Sequence, residues 1–123
     1  MSEFQKEKKG IGLSFALNGI RVFFSECKNG KIHLLAAILV LIAGLALRIH
    51  PTEWAWVVLA IALVFISEML NTALEKLADE VTREKNPEIG KLKDISAGAV
   101  LISALFAIVI GLLVFIPAVL KLF

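Results

Sequence analysis

Fourteen consecutive uncharged residues, Trp54 to Ser67, run directly into a carboxylate at Glu68. No other stretch narrows the possible folds as much. The run WAWVVLAIALVFI has the composition of a membrane-spanning helix, and helical periodicity continues beyond it through MLNTALEKLADE. Glu68, Asn71, Glu75 and Asp79 are spaced 3, 4 and 4 residues apart, which places all four on one helical stripe. At about 1.5 Å per residue, Glu68 lies roughly 21 Å along the axis from Trp54 and Glu75 roughly 31 Å. Against a hydrocarbon core of about 30 Å, Glu75 falls at the far boundary and Glu68 about 10 Å inside it. A carboxylate at that depth must face protein or water, and it marks a functional site. A charged, frayed helix end would account for Asp79 and Glu80 but not for Glu68.

The charges sort the rest of the chain into sides of a membrane. Residues 1–31 carry six Lys/Arg and residues 76–93 carry five, whereas the link at 48–53 has only Arg48 and the tail only Lys121. By the positive-inside rule the two basic regions are cytoplasmic, and the link and the C-terminus are external. Three crossings satisfy this, and three long apolar segments are present. The expected architecture is therefore an all-α integral membrane protein in the cytoplasmic membrane, with an N-terminal amphipathic surface helix followed by three transmembrane helices. Residues 1–31 form the cytoplasmic segment and 32–123 the three-span domain. The net charge of +2 is a topology signal, not a nucleic-acid footprint, because no dense basic stripe with interleaved aromatics exists. One cysteine, Cys27, excludes an intrachain disulfide and a CxxC metal site. The opening MSEFQKEKKG predicts a loose polar lead with neither a cleaved signal nor a lipid anchor.

Along the chain, Gly12 to Ser25 places Leu13, Leu17, Ile20 and Phe24 on one side, too short and polar to span and suited to the membrane surface. Asn29-Gly30 predicts a turn, after which the first span runs from about Ile32 to Ile49. His33 and Arg48 then fall near its interfaces, His33 as an interfacial residue or hydrogen-bond partner. In the link His50-Pro51-Thr52-Glu53, Thr52 is the expected helix cap and Glu53 complements the helix N-terminus. Trp54 and Trp56 suit the interfacial aromatic belt. Arg83 to Pro87 ends the central helix, with Pro87 as its stop. Glu88 to Asp94 is a charged approach to a third span over Ile95 to Leu120, in which Pro117 is a candidate kink or terminus.

Three carboxylates and an amide sharing one small space repel one another unless a cation joins them. A hard ion such as Mg²⁺ is bound by these oxygens and is readily shared with nucleotide phosphates. A carboxylate one or two turns deeper can accept a proton from a lipid hydroxyl. Lys93 and Asp94, at the same boundary, add a cation for a phosphate and a carboxylate to position it or a base edge. The set has the parts of a phosphoryl-transfer site. A small ion-coupled transporter would also use an intramembrane Glu68, and a non-catalytic membrane assembly protein could use a polar stripe to join helices; both remain as alternatives.

Glu68-Met-Leu-Asn71-Thr72-Ala-Leu-Glu75, with Asp79 after it, closely resembles the E-x-x-N-[ST]-A-x-E-x-x-x-D signature of the prokaryotic diacylglycerol kinase family. Lys93-Asp94-Ile-Ser-Ala-Gly98 resembles its second block, and FALNGIR, KIH and PTEW are similar to the undecaprenol kinase branch. The resemblance covers about residues 12–120. It implies a homotrimeric helix bundle with active sites shared between subunits, and a kinase that uses Mg²⁺ and ATP to phosphorylate a membrane lipid alcohol, undecaprenol in preference to diacylglycerol. It further implies Glu68 as catalytic base, Asn71 as an orienting group and Glu75 as metal ligand, with Asp79, Lys93 and Asp94 on the nucleotide. Family members place a second metal-binding Glu eight residues after the Gly matching Gly19. That position is Cys27 here, and a thiol is a poor Mg²⁺ ligand, so either the adjacent Glu26 takes the role of metal ligand or the site is altered.

Overall fold

The computed structural model describes residues 12–123, which form four helices: α1 (Gly12–Glu26), α2 (Lys28–Leu47), α3 (Pro51–Val81) and α4 (Pro87–Leu120). The polar lead expected over residues 1–10 lies outside the described residues. Helices α2, α3 and α4 are each long and apolar enough to cross a membrane, as a multi-pass helical membrane protein requires. At 31 and 34 residues, α3 and α4 are about 46 and 51 Å long, well beyond an apolar core of about 30 Å. Their charged turns, near Val81 in α3 and near Pro87 in α4, therefore extend beyond such a core without a break in the helix. The charged stretch Glu88 to Asp94 is thus the first part of the spanning helix itself.

Helix α1 turns Phe23 inward and leaves Leu13, Leu17 and Ile20 exposed, as expected of a helix lying on an apolar surface. The expected turn at Asn29-Gly30 is displaced. The chain breaks at Cys27, and Asn29 and Gly30 belong to the first turn of α2. Gly30 has a packing reason, since a Cβ there would stand 2.9 Å from the ring of Phe23. Its missing side chain lets α1 fold back closely on α2.

The link between α2 and α3 differs from expectation in its cap. Arg48 closes α2 in the left-handed region at φ 51°, while the amide of Ile49 donates to the Gly44 carbonyl at 3.2 Å, the pattern of a Schellman-type end. His50, not Thr52, then caps α3. Its Nδ1 accepts from the Thr52 amide at 3.2 Å, and Glu53 reaches back to the His50 amide at 3.1 Å, completing a capping box. Thr52 instead adds its hydroxyl to the same ring nitrogen at 2.8 Å. At the other end of α3, Pro87 does not stop the helix. The helix ends at Val81, Asn86 caps α4 through the amides of Glu88 and Ile89, and Pro87 takes the first helical position, where a missing N–H costs nothing. Pro117 is carried inside α4, which continues to Leu120.

The apolar core is small and lies at the end of the bundle that carries the α2–α3 link. Ile49, Val57, Ala60, Ile110 and Val114 are buried together, with Trp54 and Phe115 against them. Gly44 admits the indole of Trp54, for a Cβ would meet Cη2 at 2.6 Å. Most other large apolar side chains, Leu45, Ile102 and Leu113 among them, face outward, where lipid or another subunit is their natural environment.

Candidate functional site

The inner half of α3 carries the polar stripe, and each member meets a different part of the chain. Glu68 is 4% exposed. Its Oε1 lies 2.8 Å from Nε2 of His33, in the second turn of α2. One turn further in, Asn71 donates from Nδ2 to Glu75 Oε1 at 3.2 Å. Its Oδ1 is the one buried side-chain polar atom without a partner among the described residues. The Thr72 hydroxyl lies 3.6 Å from the Cys27 sulfur. Lys76 pairs with Glu26 at the end of α1. Asp79, in the last turns of α3 and past the hydrocarbon, accepts from Lys93 Nζ of α4 at 2.7 Å. That hydrogen bond, and then the lysine charge, hold the Asp79 carboxyl below the usual carboxylate range.

Open recesses lie beside these residues. A polar cleft of about 400 Å³ is lined by Glu26, Cys27, Thr72, Glu75, Lys76 and Asp79, among others. Asp79 and Lys93 also line a second recess of about 420 Å³ formed with the loop at 82–86, beside Arg83, Lys85 and Asn86. On the membrane side, an apolar groove of about 380 Å³ runs between α2, α3 and α4, walled by small residues such as Ala37, Ala60, Ala107 and Gly111 and including His33. The expected site residues thus fall into groups. Glu26, Glu75 and Asp79 share the polar cleft, and Asn71 is tied to Glu75. Asp79 and Lys93 join that cleft to the loop recess. Glu68 is set apart beside His33. Asp94 is exposed and makes no side-chain bond among the described residues.

The donor set suits one particular kind of cation. No three His, Cys, Asp or Glu side chains converge as a metal cage among the described residues. Glu26, Glu75 and Asp79 open on the same polar cleft, and Mg²⁺ commonly takes one or two protein carboxylates and fills its shell with water and phosphate oxygens. The residues present fit such an ion. Glu26 is not idle in its absence, because the Lys76 ammonium neutralises it.

Two participants were not legible from spacing. Lys76 sits next to Glu75 in sequence, but its pairing with Glu26, 50 residues away, follows from the return of α1 over α3. His33 was expected to be a hydrogen-bond partner, and the structure supplies the group it meets, 35 residues on.

The sequence comparisons agree with the motifs. The family model for prokaryotic diacylglycerol kinase matches residues 14–115. The chain is 39% identical over 90 residues to the undecaprenol kinase of Bacillus subtilis (strain 168), a match covering 73% of each chain. It is 33% identical over 113 residues to the diacylglycerol kinase of a Synechocystis species, covering 91% of this chain and 65%, just under two thirds, of that relative.

Proposed function

The chain belongs to the prokaryotic diacylglycerol kinase family, and from that premise we propose that it transfers the γ-phosphoryl group of ATP to the hydroxyl of a membrane lipid, undecaprenol in preference to diacylglycerol. The observation that carries this reading is the order of groups along α3. Glu68 stands at hydrocarbon depth, on the helix that walls an apolar groove containing its partner His33. Asn71, Glu75 and Asp79 follow outward toward the polar cleft. A lipid with its chain in the groove presents its hydroxyl to Glu68, and a nucleotide approaching from water meets the other end of the stripe.

In this reading Glu68 accepts the hydroxyl proton as the lipid oxygen bonds to the γ-phosphorus and the bond to the bridging oxygen of ADP breaks. Asn71 holds Glu75 through Nδ2 and offers its unpartnered Oδ1 to orient a donor at the reacting centre. Glu75 and Glu26 would hold Mg²⁺, which would neutralise charge on the phosphates. Lys93 and Asp79 receive the nucleotide at the junction of the two polar recesses, with Asp94 beside them.

Undecaprenol as acceptor is supported by the higher identity to the relative of that name, 39% against 33%. The test supplies each lipid separately with Mg-ATP and compares initial rates. A faster rate with diacylglycerol would reverse the preference, and no phosphate in extracted lipid with either would favour the transporter or assembly alternatives.

We further infer a homotrimer with shared sites. One subunit brings Glu26, Glu75 and Asp79 to an open polar cleft and leaves much of its apolar surface exposed, and packing copies together buries both. The N-terminus is placed in the cytoplasm and the C-terminus outside, at the cytoplasmic membrane of the cell. Single cysteines introduced at positions 51 and 123 of a Cys27-free variant should both react with a membrane-impermeant reagent added outside. Protection of both would overturn that orientation.

A further inference from the structure

We propose that His33 is a positioning residue for the reaction: its imidazole holds one carboxylate oxygen of Glu68 so that the other is presented to the lipid hydroxyl. This rests on the reading of Glu68 as base given above. The geometry is specific. Oε1 of Glu68 accepts the 2.8 Å hydrogen bond from His33. Oε2 makes no hydrogen bond among the described residues, yet it is not one of their sealed, unpartnered atoms. One oxygen is occupied, and its twin carries no hydrogen bond while keeping a little accessible surface.

The role also determines the tautomer. A carboxylate that is to accept a proton is ionised and can only accept hydrogen bonds, so the hydrogen between the two residues belongs to His33 Nε2. A single donor matters greatly here. Glu68 is buried at hydrocarbon depth, where an unpaired carboxylate is strongly disfavoured and a free rotamer would let it swing away from the acceptor. The imidazole is itself held in place. Phe65 meets it edge-on with ring centroids 6.5 Å apart, and Phe24 of α1 packs on Phe65 at 5.8 Å. Phe23, seated over Gly30, packs on Phe24 at 5.2 Å. Three aromatic rings thus connect the seat of the surface helix to the orientation of one carboxylate. His33 also lines the apolar groove, so the ring stands between the space for the lipid chain and the carboxylate that would receive the lipid proton.

The test uses the full-length assembled protein and whichever lipid alcohol gives the faster initial rate. His33→Phe keeps the ring volume and the Phe65 contact but removes the donor. His33→Gln replaces the ring but returns an N–H. His33→Phe should lower kcat by about 30- to 100-fold with KM for Mg-ATP within about twofold, and His33→Gln should recover to within about fivefold of the parent. The double variant Glu68→Gln/His33→Phe should be no slower than Glu68→Gln, because His33 acts through the carboxylate. If His33→Phe does not assemble, His33→Ala assayed with added imidazole replaces it, and return of kcat is the expected result. A kcat within twofold of the parent in His33→Phe, no recovery in His33→Gln or with imidazole, or a multiplicative loss in the double variant overturns the proposal. Glu68→Gln separates the two failures. If it is inactive while His33→Phe is normal, the positioning role alone is wrong. If Glu68→Gln itself is normal, the base assignment falls and the positioning role with it.

Discussion

The two halves of α3 are joined to the rest of the protein by different means. The outer half packs. Val57 is 2% and Ala60 5% exposed, Trp54 lies over Gly44, and these contacts build the core with Ile110 and Val114 of α4. The inner half is pinned by separate polar pairs, one to each other helix: Glu68 to His33 on α2, Lys76 to Glu26 on α1, and Asp79 to Lys93 on α4. Close packing resists displacement because every atom has neighbours on all sides. The Lys76–Glu26 and Asp79–Lys93 pairs are exposed, contribute little and exchange readily with other charges, whereas Glu68–His33 is part-buried and stays in place. A helix anchored by packing at one end and by exchangeable pairs at the other can hold its register while phosphates and a cation replace the partners along the stripe. The Trp54 end of α3 serves as a clamp, and the Asp79 end carries the exchangeable pairs.

The sharpest way to break this division is to remove charge from the stripe without changing its shape. Glu68→Gln should reduce kcat by about 10³-fold, within the range for loss of a general base, while nucleotide binding stays near that of the parent. Single-turnover lipid phosphorylation beside equilibrium nucleotide binding measures both. Loss of nucleotide binding with normal turnover at saturating ATP would move Glu68 into the nucleotide site. Glu75→Gln comes next. It should lower turnover by about a hundredfold, the order expected when one of few oxygen ligands to a catalytic ion is lost, and raise the Mg²⁺ needed for half-maximal rate. Unchanged Mg²⁺ dependence in that assembled variant would remove the ligand assignment.

How much of this could be read beforehand follows the same division. The three long helices, the surface helix and the shared face of Glu68, Asn71, Glu75 and Asp79 were legible because they depend on local periodicity, which the chain carries without reference to its neighbours. The ends of elements were less so. Asn29-Gly30 looks like a turn in isolation, yet Gly30 serves the approach of Phe23, a contact no local pattern contains. Thr52 lost the cap to His50 because an imidazole nitrogen can do the work of a hydroxyl when Glu53 completes the box. Pro87 can follow one helix or begin another, and the Asn86 side chain decided for the second. The partners of Glu68 and Glu26 were not legible, since each comes from another helix and nothing in spacing specifies which helices meet.

Substituting in the outer half tests the clamp from the other side. Gly44→Ala puts a Cβ 2.6 Å from the indole of Trp54, so the ring or the α2–α3 approach must give. Overpacking of that sort costs about 1–3 kcal/mol. Thermal unfolding in detergent micelles should therefore show a lower midpoint, with kcat of the surviving protein nearly unchanged because the stripe lies at the other end of α3. A large fall in kcat with an unaltered midpoint would mean that the two ends are coupled and the division above is wrong.

The smallest effect is expected at Lys76, where the two regimes differ most. Its ammonium pairs with Glu26, and both side chains are about half exposed, so losing the pair should leave the unfolding midpoint almost where it was. Its influence on the cation should nevertheless be measurable. Lys76 lines the same cleft as Glu26 and Glu75, and there it neutralises a carboxylate that an incoming Mg²⁺ needs. Lys76→Gln keeps most of the side chain and removes that competition. The Mg²⁺ concentration for half-maximal rate should fall, by about twofold to fivefold at low ionic strength and less as added salt screens the charges. The sign is the informative part. A lower Mg²⁺ requirement places Glu26 among the groups that hold the ion, with Lys76 as the occupant it displaces. A higher requirement would assign Lys76 to the phosphates instead, and Glu26 would then be an anchor for α1 with no direct part in holding the metal.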